Sequence, residues 1–168
     1  MTVYEIEQKY RLKDLAAVRR GLRALGAKKI ASGRETNEFF DRNGELRKRK
    51  IAMRLRRYDG QSTLTLKGPK LRSRFTKRVE LEMPVEHSPL RSILLLSGFR
   101  PVMKYTKNRE LYGLGKARVT IDRLRGFGCF LEIEGTVSVI ARIASALGLG
   151  DGDREPRSYL QMMFGWKH

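Results

Sequence analysis

The chain has 168 residues, of which 36 are lysine or arginine and 18 aspartate or glutamate, for a formal net charge of +18; this length builds one core but is short for two, so a single domain over 1–168 is expected. One cysteine and two histidines exclude a disulfide framework and a histidine-rich metal site, and a reducing cytoplasm is the expected setting. No run approaches the roughly 20 apolar residues of a membrane span, and the first predicted strand begins too close to Met1 for a signal peptide.

In chain order, the first predicted strand (2–11) carries Glu5, Glu7 and Lys9 on one face and Ile6 on the other, because successive strand side chains alternate. The segment DLAAVRRGLRALGA reads as a helix capped by Asp14, with Leu15, Val18, Leu22 and Leu25 as its apolar stripe and Gly26 as its stop. Strands follow at 35–41, 50–58, 62–68 and 76–84. In them Arg54 and Arg56 oppose Met53 and Leu55, Thr65 and Lys67 oppose Leu64 and Leu66, and Arg78, Glu80 and Glu82 oppose Leu81. A second helix is expected from the N-cap Ser88, with Pro89 at its first position, to Gly98. The strands at 101–108, 117–123 and 128–135 place Lys107 with Arg109, Arg118 with Thr120 and Asp122, and Glu132 with Glu134. YDGQ and NRELYGLGK read as turns. SVIARIASALGLG gives a third helix that stops at Gly148, and EPRSYLQMMF a last one begun at Pro156.

Nearly every strand thus has one apolar face and one face carrying both signs of charge. A single solvated sheet face normally mixes in Thr, Ser and Gln, so the pattern favours a closed barrel with a charged lumen. The expected fold is α+β, an eight-stranded antiparallel tunnel with helices packed outside. Its lumen takes eight basic and seven acidic residues, leaving 28 basic against 11 acidic outside, an excess of 17. Part of that excess lies in RKRK (47–50) and GPKLRSRFTKR (68–78), runs that would attract a polyanion and give weak RNA or polyanion binding. The order Glu-x-Glu strand, helix, Gly stop and further strands occurs over 5–68 and again over 80–134, which suggests an internal duplication.

Carboxylates without histidine or thiolate favour a hard cation, Mg²⁺ or Mn²⁺. Clustered Arg and Lys beside them call for a phosphorylated ligand, and their number suits a triphosphate better than a monophosphate. Phe39, Phe40, Tyr58 and Phe75 are the aromatics that could stack a base; as strand residues they are expected mainly in the core.

The opening EIEQK (Glu5, Glu7, Lys9) resembles the Glu-x-Glu-x-Lys signature of the CYTH superfamily, the triphosphate tunnel metalloenzymes. The resemblance runs on through Arg54 and Arg56, LTLKGP with Lys67, RVELE, TKNR, Asp122, GFGCFLEIE and the terminal Arg157, Ser158 and Tyr159, and is nearest to the class IV adenylyl cyclase-like branch. It implies a tunnel that binds a triphosphate and one or two divalent metals. On this resemblance Glu5, Glu7, Glu132 and Glu134 are the main metal ligands, with Glu80, Glu82 and Asp122 as further candidates. Arg54, Arg56, Lys67, Arg78, Lys107 and Arg109 would hold phosphates, and Lys9 and Asp122 would serve the reaction. The expected enzyme is a metal-dependent triphosphatase cleaving a phosphoanhydride bond of a nucleoside, thiamine or inorganic triphosphate. The alternative is an adenylyl cyclase that binds ATP and makes cyclic AMP, and a third is a non-catalytic binder of polyphosphate or RNA.

Overall fold

Eight strands form where alternation placed them, and in a computed structural model that describes residues 4–71 and 73–165 each pairs with an antiparallel neighbour on both sides. They are β1 (Tyr4–Leu12), β2 (Lys28–Asp41), β3 (Ala52–Tyr58), β4 (Gln61–Lys67), β5 (Thr76–Pro84), β6 (Arg100–Leu114), β7 (Ala117–Leu124) and β8 (Gly128–Glu134). The sheet closes into a barrel in the order β1-β5-β4-β3-β2-β6-β7-β8. Closure leaves no free edge, so every strand needs two partners. β1 meets this by pairing its first half, Tyr4–Glu7, with β5 and its second half, Glu7–Leu12, with β8. Residues 2 and 3 of the expected first strand lie outside the described residues.

Helices α1 (Leu15–Ala24), α2 (Glu45–Lys48) and α3 (His87–Leu96) lie between strands, and α4 (Val137–Ala146) and α5 (Tyr159–Phe164) follow β8. Asp14 caps α1 by accepting from the Ala17 amide at 2.9 Å. The outward sides of the strands build two cores. Val18 and Leu22 of α1 with Ile140, Ile143 and Ala144 of α4 cover Tyr10, Val119, Ile121, Leu131 and Ile133, while Leu94 of α3 covers Phe40, Met53 and Leu55. Among the described residues no helix is long and apolar enough to cross a membrane.

Several boundaries differ from those the sequence suggested. β2 starts seven residues early and β6 runs to Leu114, through most of NRELYGLGK, because the two strands pair along their length from Lys28↔Gly113 to Asp41↔Arg100. Their extra residues mix polar and apolar side chains on both faces, which hides the period. α3 starts at His87 after Glu86, so Ser88 is not its cap. α5 starts at Tyr159 rather than Pro156, held by a capping box in which Ser158 and Gln161 bond reciprocally to each other's backbone amides. The YDGQ turn forms as expected, with Asp59 and Gly60 both at positive φ (52° and 71°), the geometry of a two-residue type I′ hairpin.

The inner face is not charged throughout. At one end it becomes apolar: Phe39, Ala52, Tyr105, Leu124 and Phe130 pack against Tyr159 and Leu160 of α5. The polar tunnel therefore has an apolar floor. Ile133 is completely buried under α1 and α4 on the opposite side of β8 from Glu132 and Glu134. Ile133→Ala should cost about 2–5 kcal/mol in urea unfolding, with ligand binding by the remaining folded protein unchanged.

Candidate active site

Strand register decides which charges meet. Glu5 stands opposite Arg78, Lys9 opposite Glu132, Lys67 opposite Glu80 and Arg109 opposite Asp122. Each pair joins opposite signs at the distance where cross-strand side chains interact. The exception is Glu7, which faces Glu134.

These residues surround one cavity of about 480 Å³, within the usual range for small-molecule sites. Thirteen of the fourteen expected site residues line it: Glu5, Glu7, Lys9, Arg54, Arg56, Lys67, Arg78, Glu80, Glu82, Lys107, Arg109, Glu132 and Glu134. The other, Asp122, has no exposed surface and lies behind the lining. Its Oδ1 accepts from Arg109 Nε at 2.7 Å, and its Oδ2 accepts from Arg109 Nη2 at 2.6 Å, Lys107 Nζ at 2.7 Å and the Tyr159 hydroxyl at 2.8 Å.

Glu35 completes this buried group and was not anticipated. It is fully buried on β2, with its oxygens 3.3 Å from Lys107 Nζ and 3.3 Å from Arg109 Nη1, and it accepts from Asn37 Nδ2 at 2.9 Å. Little in ETNEFF points to it, because acids lie on both faces of the strand. With Glu35 the lumen holds eight acids against eight bases.

Two further groups lie nearer the mouth. Lys67 Nζ is 3.2 Å from Glu5 and 2.5 Å from Glu80, and Arg78 reaches Glu5 at 3.2 Å and Glu7 at 3.3 Å. Arg56 donates to Glu82 at 2.8 Å, and Arg54 donates to Thr65, which donates in turn to Glu82. Lys9 Nζ sits 3.4 Å from Glu132, donates to the Arg157 carbonyl at 3.0 Å and lies 3.8 Å above the Tyr159 ring. Of the aromatics considered for base stacking, Phe40 and Phe75 belong to the outer cores and Tyr58 donates to the Arg109 carbonyl. Only Phe39 reaches the cavity, where it stacks on Tyr105 with centroids 5.9 Å apart.

The carboxylates divide into two electrostatic kinds. Burial, with Glu5 and Glu132 nearby, raises Glu7 above its ordinary 4.5, and burial, with Glu5 and Glu7 nearby, raises Glu134; Glu5 is raised chiefly by burial. Burial also disfavours charge at Glu35 and Glu132, but Lys107 and Arg109 outweigh it at Glu35, and Lys9 with Lys107 and Arg109 outweighs it at Glu132, holding both low. Among the described residues no group of three or more His, Cys, Asp or Glu side chains is arranged to hold an ion as it stands. The donor chemistry nevertheless fits a hard divalent cation: all the donors are oxygens, and Glu7 and Glu134, which face each other across the strands, are both raised by burial and by neighbouring carboxylates.

A closed antiparallel barrel with a charge-paired lumen is the class of protein that these features define. The CYTH domain model matches residues 3–159, and the chain belongs to the CYTH family. A Methanocaldococcus jannaschii protein provisionally named an adenylate cyclase is 31% identical over 94% of this chain and 97% of its own. The adenylate cyclase CyaB of Aeromonas hydrophila is 27% identical over 93% of this chain and 86% of its own. Among solved structures, a Vibrio parahaemolyticus protein provisionally named an adenylate cyclase has TM-score 0.87 at 22% identity, covering 97% of this chain and 99% of its own. A Hippeastrum protein provisionally named an adenylyl cyclase, whose structural report gives it a dominant triphosphatase activity, has TM-score 0.75 at 20% identity, covering 98% and 97%.

The two kinds of carboxylate should respond oppositely to mutation. Glu134→Gln relieves repulsion, so the melting temperature at pH 7 should hold or rise, whereas Asp122→Asn weakens a buried charge cluster and should cost about 3–5 kcal/mol. The pH profile follows the same division. Raised acids bind protons more tightly when folded, so their contribution is full below the unfolded value of 4.5 and is lost as pH rises through their folded values. Depressed acids such as Glu110 and Glu155, at about 2, contribute above 4.5 and lose that contribution as pH falls toward 2. Cation-free protein should therefore be most stable near pH 4.5 to 5 and melt earlier toward pH 8, with Mn²⁺ restoring most at the alkaline end; a melting temperature that rises steadily to pH 8 without metal would contradict the assignment.

Proposed function

We propose that this protein is a divalent-cation-dependent enzyme that binds a triphosphate in the barrel lumen and hydrolyses a phosphoanhydride bond. The observation that carries the reading is the one-to-one balance of acids and bases around a cavity of about 480 Å³. Arg56, Lys67 and Arg78 rest on Glu82, Glu5, Glu80 and Glu7, which phosphate oxygens can replace, and each replacement frees a carboxylate. Phosphate and metal binding are thereby linked: a polyphosphate takes the Arg and Lys side chains and leaves oxygen donors for a cation. Enzymes of this family generally depend on divalent metals and bind triphosphates, which agrees with the reading.

Glu5, Glu7 and Glu134 would hold Mg²⁺ or Mn²⁺, with Glu132, Glu80 and Glu82 within the same lumen. Bound there, the metal supplies charge neutralisation and Lewis acidity at phosphate oxygens. Arg54, Arg56, Lys67 and Arg78 grip the chain near the mouth, where Arg forks bind phosphate in bidentate fashion. Lys107 and Arg109 present charge from deeper in the lumen. Asp122 and Glu35 act through them, fixing their side chains from behind so that little reorganisation is needed when charge develops on the phosphoryl group. Lys9, freed from Glu132, orients the attacking water or meets that charge.

Cyclisation is the second reading, favoured by the apolar floor of Phe39, Ala52 and Leu160 and by the names of the two sequence relatives. A purine resting on that floor would let the ribose 3′-hydroxyl attack the α-phosphorus, with pyrophosphate leaving. Hydrolysis ranks first because the charged lumen serves the phosphates without requiring a base, and the rings of Phe39, Tyr105 and Tyr159 already pack on one another.

Incubation with ATP, thiamine triphosphate and tripolyphosphate under Mg²⁺ and Mn²⁺ should yield the diphosphate and orthophosphate; cyclic AMP with pyrophosphate would transfer the assignment to cyclisation, and no turnover of any substrate would refute both. A charge-assisted contact contributes about 1.5–3 kcal/mol, so Lys67→Ala should weaken tripolyphosphate roughly ten- to hundred-fold and orthophosphate much less. In calorimetric titration, tripolyphosphate should tighten Mn²⁺ binding by the same factor by which Mn²⁺ tightens tripolyphosphate.

A further inference from the structure

With eight acids matching eight bases in the lumen, the whole net charge of +18 comes from residues other than those of the lumen. The helices cover that outside unevenly. α1 and α4 lie over β1, β7 and β8, and α3 lies over β3, β4 and Phe40 at the end of β2. Between them the outer face is left bare at Arg34 and Thr36 of β2 and at Lys104, Thr106 and Asn108 of β6, while further along β6 Glu110 bonds to Arg19 of α1 and Tyr112 joins the core under α1 and α4.

Register arranges this bare face into two rows across four strands. Thr36 stands opposite Arg57 of β3 on one side and Thr106 of β6 on the other, and Asn108 stands opposite Arg34 of β2 and Arg123 of β7. Neighbouring strands are about 4.8 Å apart, so the face is about 14 Å wide. Arg34, Arg57, Lys104 and Arg123 are exposed, and among the described residues none of them forms an ion pair with a carboxylate. The acids that border this face, Glu38 and Glu110, are nearly buried and already paired, Glu38 with Arg91 of α3 at 3.1 Å and Glu110 with Arg19 of α1. Neither row carries an aromatic or large aliphatic side chain.

We propose that this face binds the phosphate backbone of double-stranded nucleic acid without reading its sequence. Arginine forks flanked by Thr and Asn donors are the chemistry of phosphate contacts, which position a duplex but carry no base information. A protein partner would need buried aromatic or aliphatic anchors, and a membrane surface an apolar wedge; the two rows offer neither. Single strands are held chiefly by stacking on aromatic rings, absent from the rows. The lumen does not compete for this partner, because its cations are already neutralised and it is enclosed by the strands.

Fluorescence anisotropy with a labelled duplex two helical turns long, titrated between about 50 and 200 mM salt, tests the proposal. Wild-type protein should bind with a steep salt dependence. The triple variant Arg34→Gln/Arg57→Gln/Arg123→Gln should lose at least about tenfold in affinity at low salt, and its log–log slope should shrink by about 2.7, the value for three lost phosphate contacts. Its binding of tripolyphosphate should equal that of wild type, which also reports that it is folded. Lys48→Gln/Arg49→Gln/Lys50→Gln, which removes as much charge elsewhere, should change the slope by less than half as much. Equal losses in the two variants would overturn the proposal, as would displacement of the duplex by lumen-saturating tripolyphosphate. Preference for a single strand, for poly-glutamate or for anionic phosphatidylserine vesicles over the duplex would overturn it as well.

Discussion

Charge inside a closed barrel has to be compensated from within, and this constraint organises the rest of the molecule. Removing an ion from water costs several kcal/mol unless a partner and hydrogen bonds replace the lost solvation. Alternation sends a charged residue inward at almost every second position of most strands, and register sets a residue of opposite sign across from it at Glu5 and Arg78, Lys67 and Glu80, Lys9 and Glu132, and Arg109 and Asp122. Glu35 fits the same rule. Without it Lys107, almost fully buried, and Arg109 would share only Asp122 and Glu132.

Such pairing is a poor source of stability, since a well-packed apolar lumen would serve the fold equally well. Its value lies in being exchangeable. The mouth carries the exchangeable pairs, where burial raises Glu5 with Glu80 beside it, burial raises Glu7 with Glu5 and Glu132 beside it, and Arg78 and Lys67 rest on them. Deeper in the lumen Asp122, with four hydrogen bonds, and Glu35 hold their cations firmly. In the proposed enzyme the first group trades partners with substrate and metal, while the second keeps its geometry during turnover.

The same topology governs the exterior. Taken as halves of β1–β4 and β5–β8, the barrel order sets the first strands of the two halves side by side and the second strands side by side. The first strand of each half also borders the last strand of the other, so the halves interlock. Helices settle over the outer strands of each half, leaving both seams less covered. At the β1/β5 seam this exposes Tyr4, Leu81 and Met83; at the β2/β6 seam it exposes the basic rows.

Period-two alternation sufficed to place eight strands, to choose their inward faces and to gather fourteen charged residues around one cavity, because a strand has only two faces and burial admits one hydrophobic side. Asp14, Gly26 and the Asp59-Gly60 turn were legible for a similar reason, since capping and positive φ are local demands. The pairing of β2 with β6 was not legible: its extension is fixed by a partner some 70 residues away, and its own residues carry no clean period. Glu35 escaped notice because acids occupy both faces of its strand, so that only closure of the sheet shows which one meets Lys107. Asp122 was read as lining the cavity and lies behind it, since alternation gives the direction of a side chain and not its depth. The apolar floor likewise depends on α5 packing between strands distant in sequence. Composition and spacing determine which side of the chain carries charge; which charges neutralise one another depends on strand register and closure, and those are properties of the folded chain.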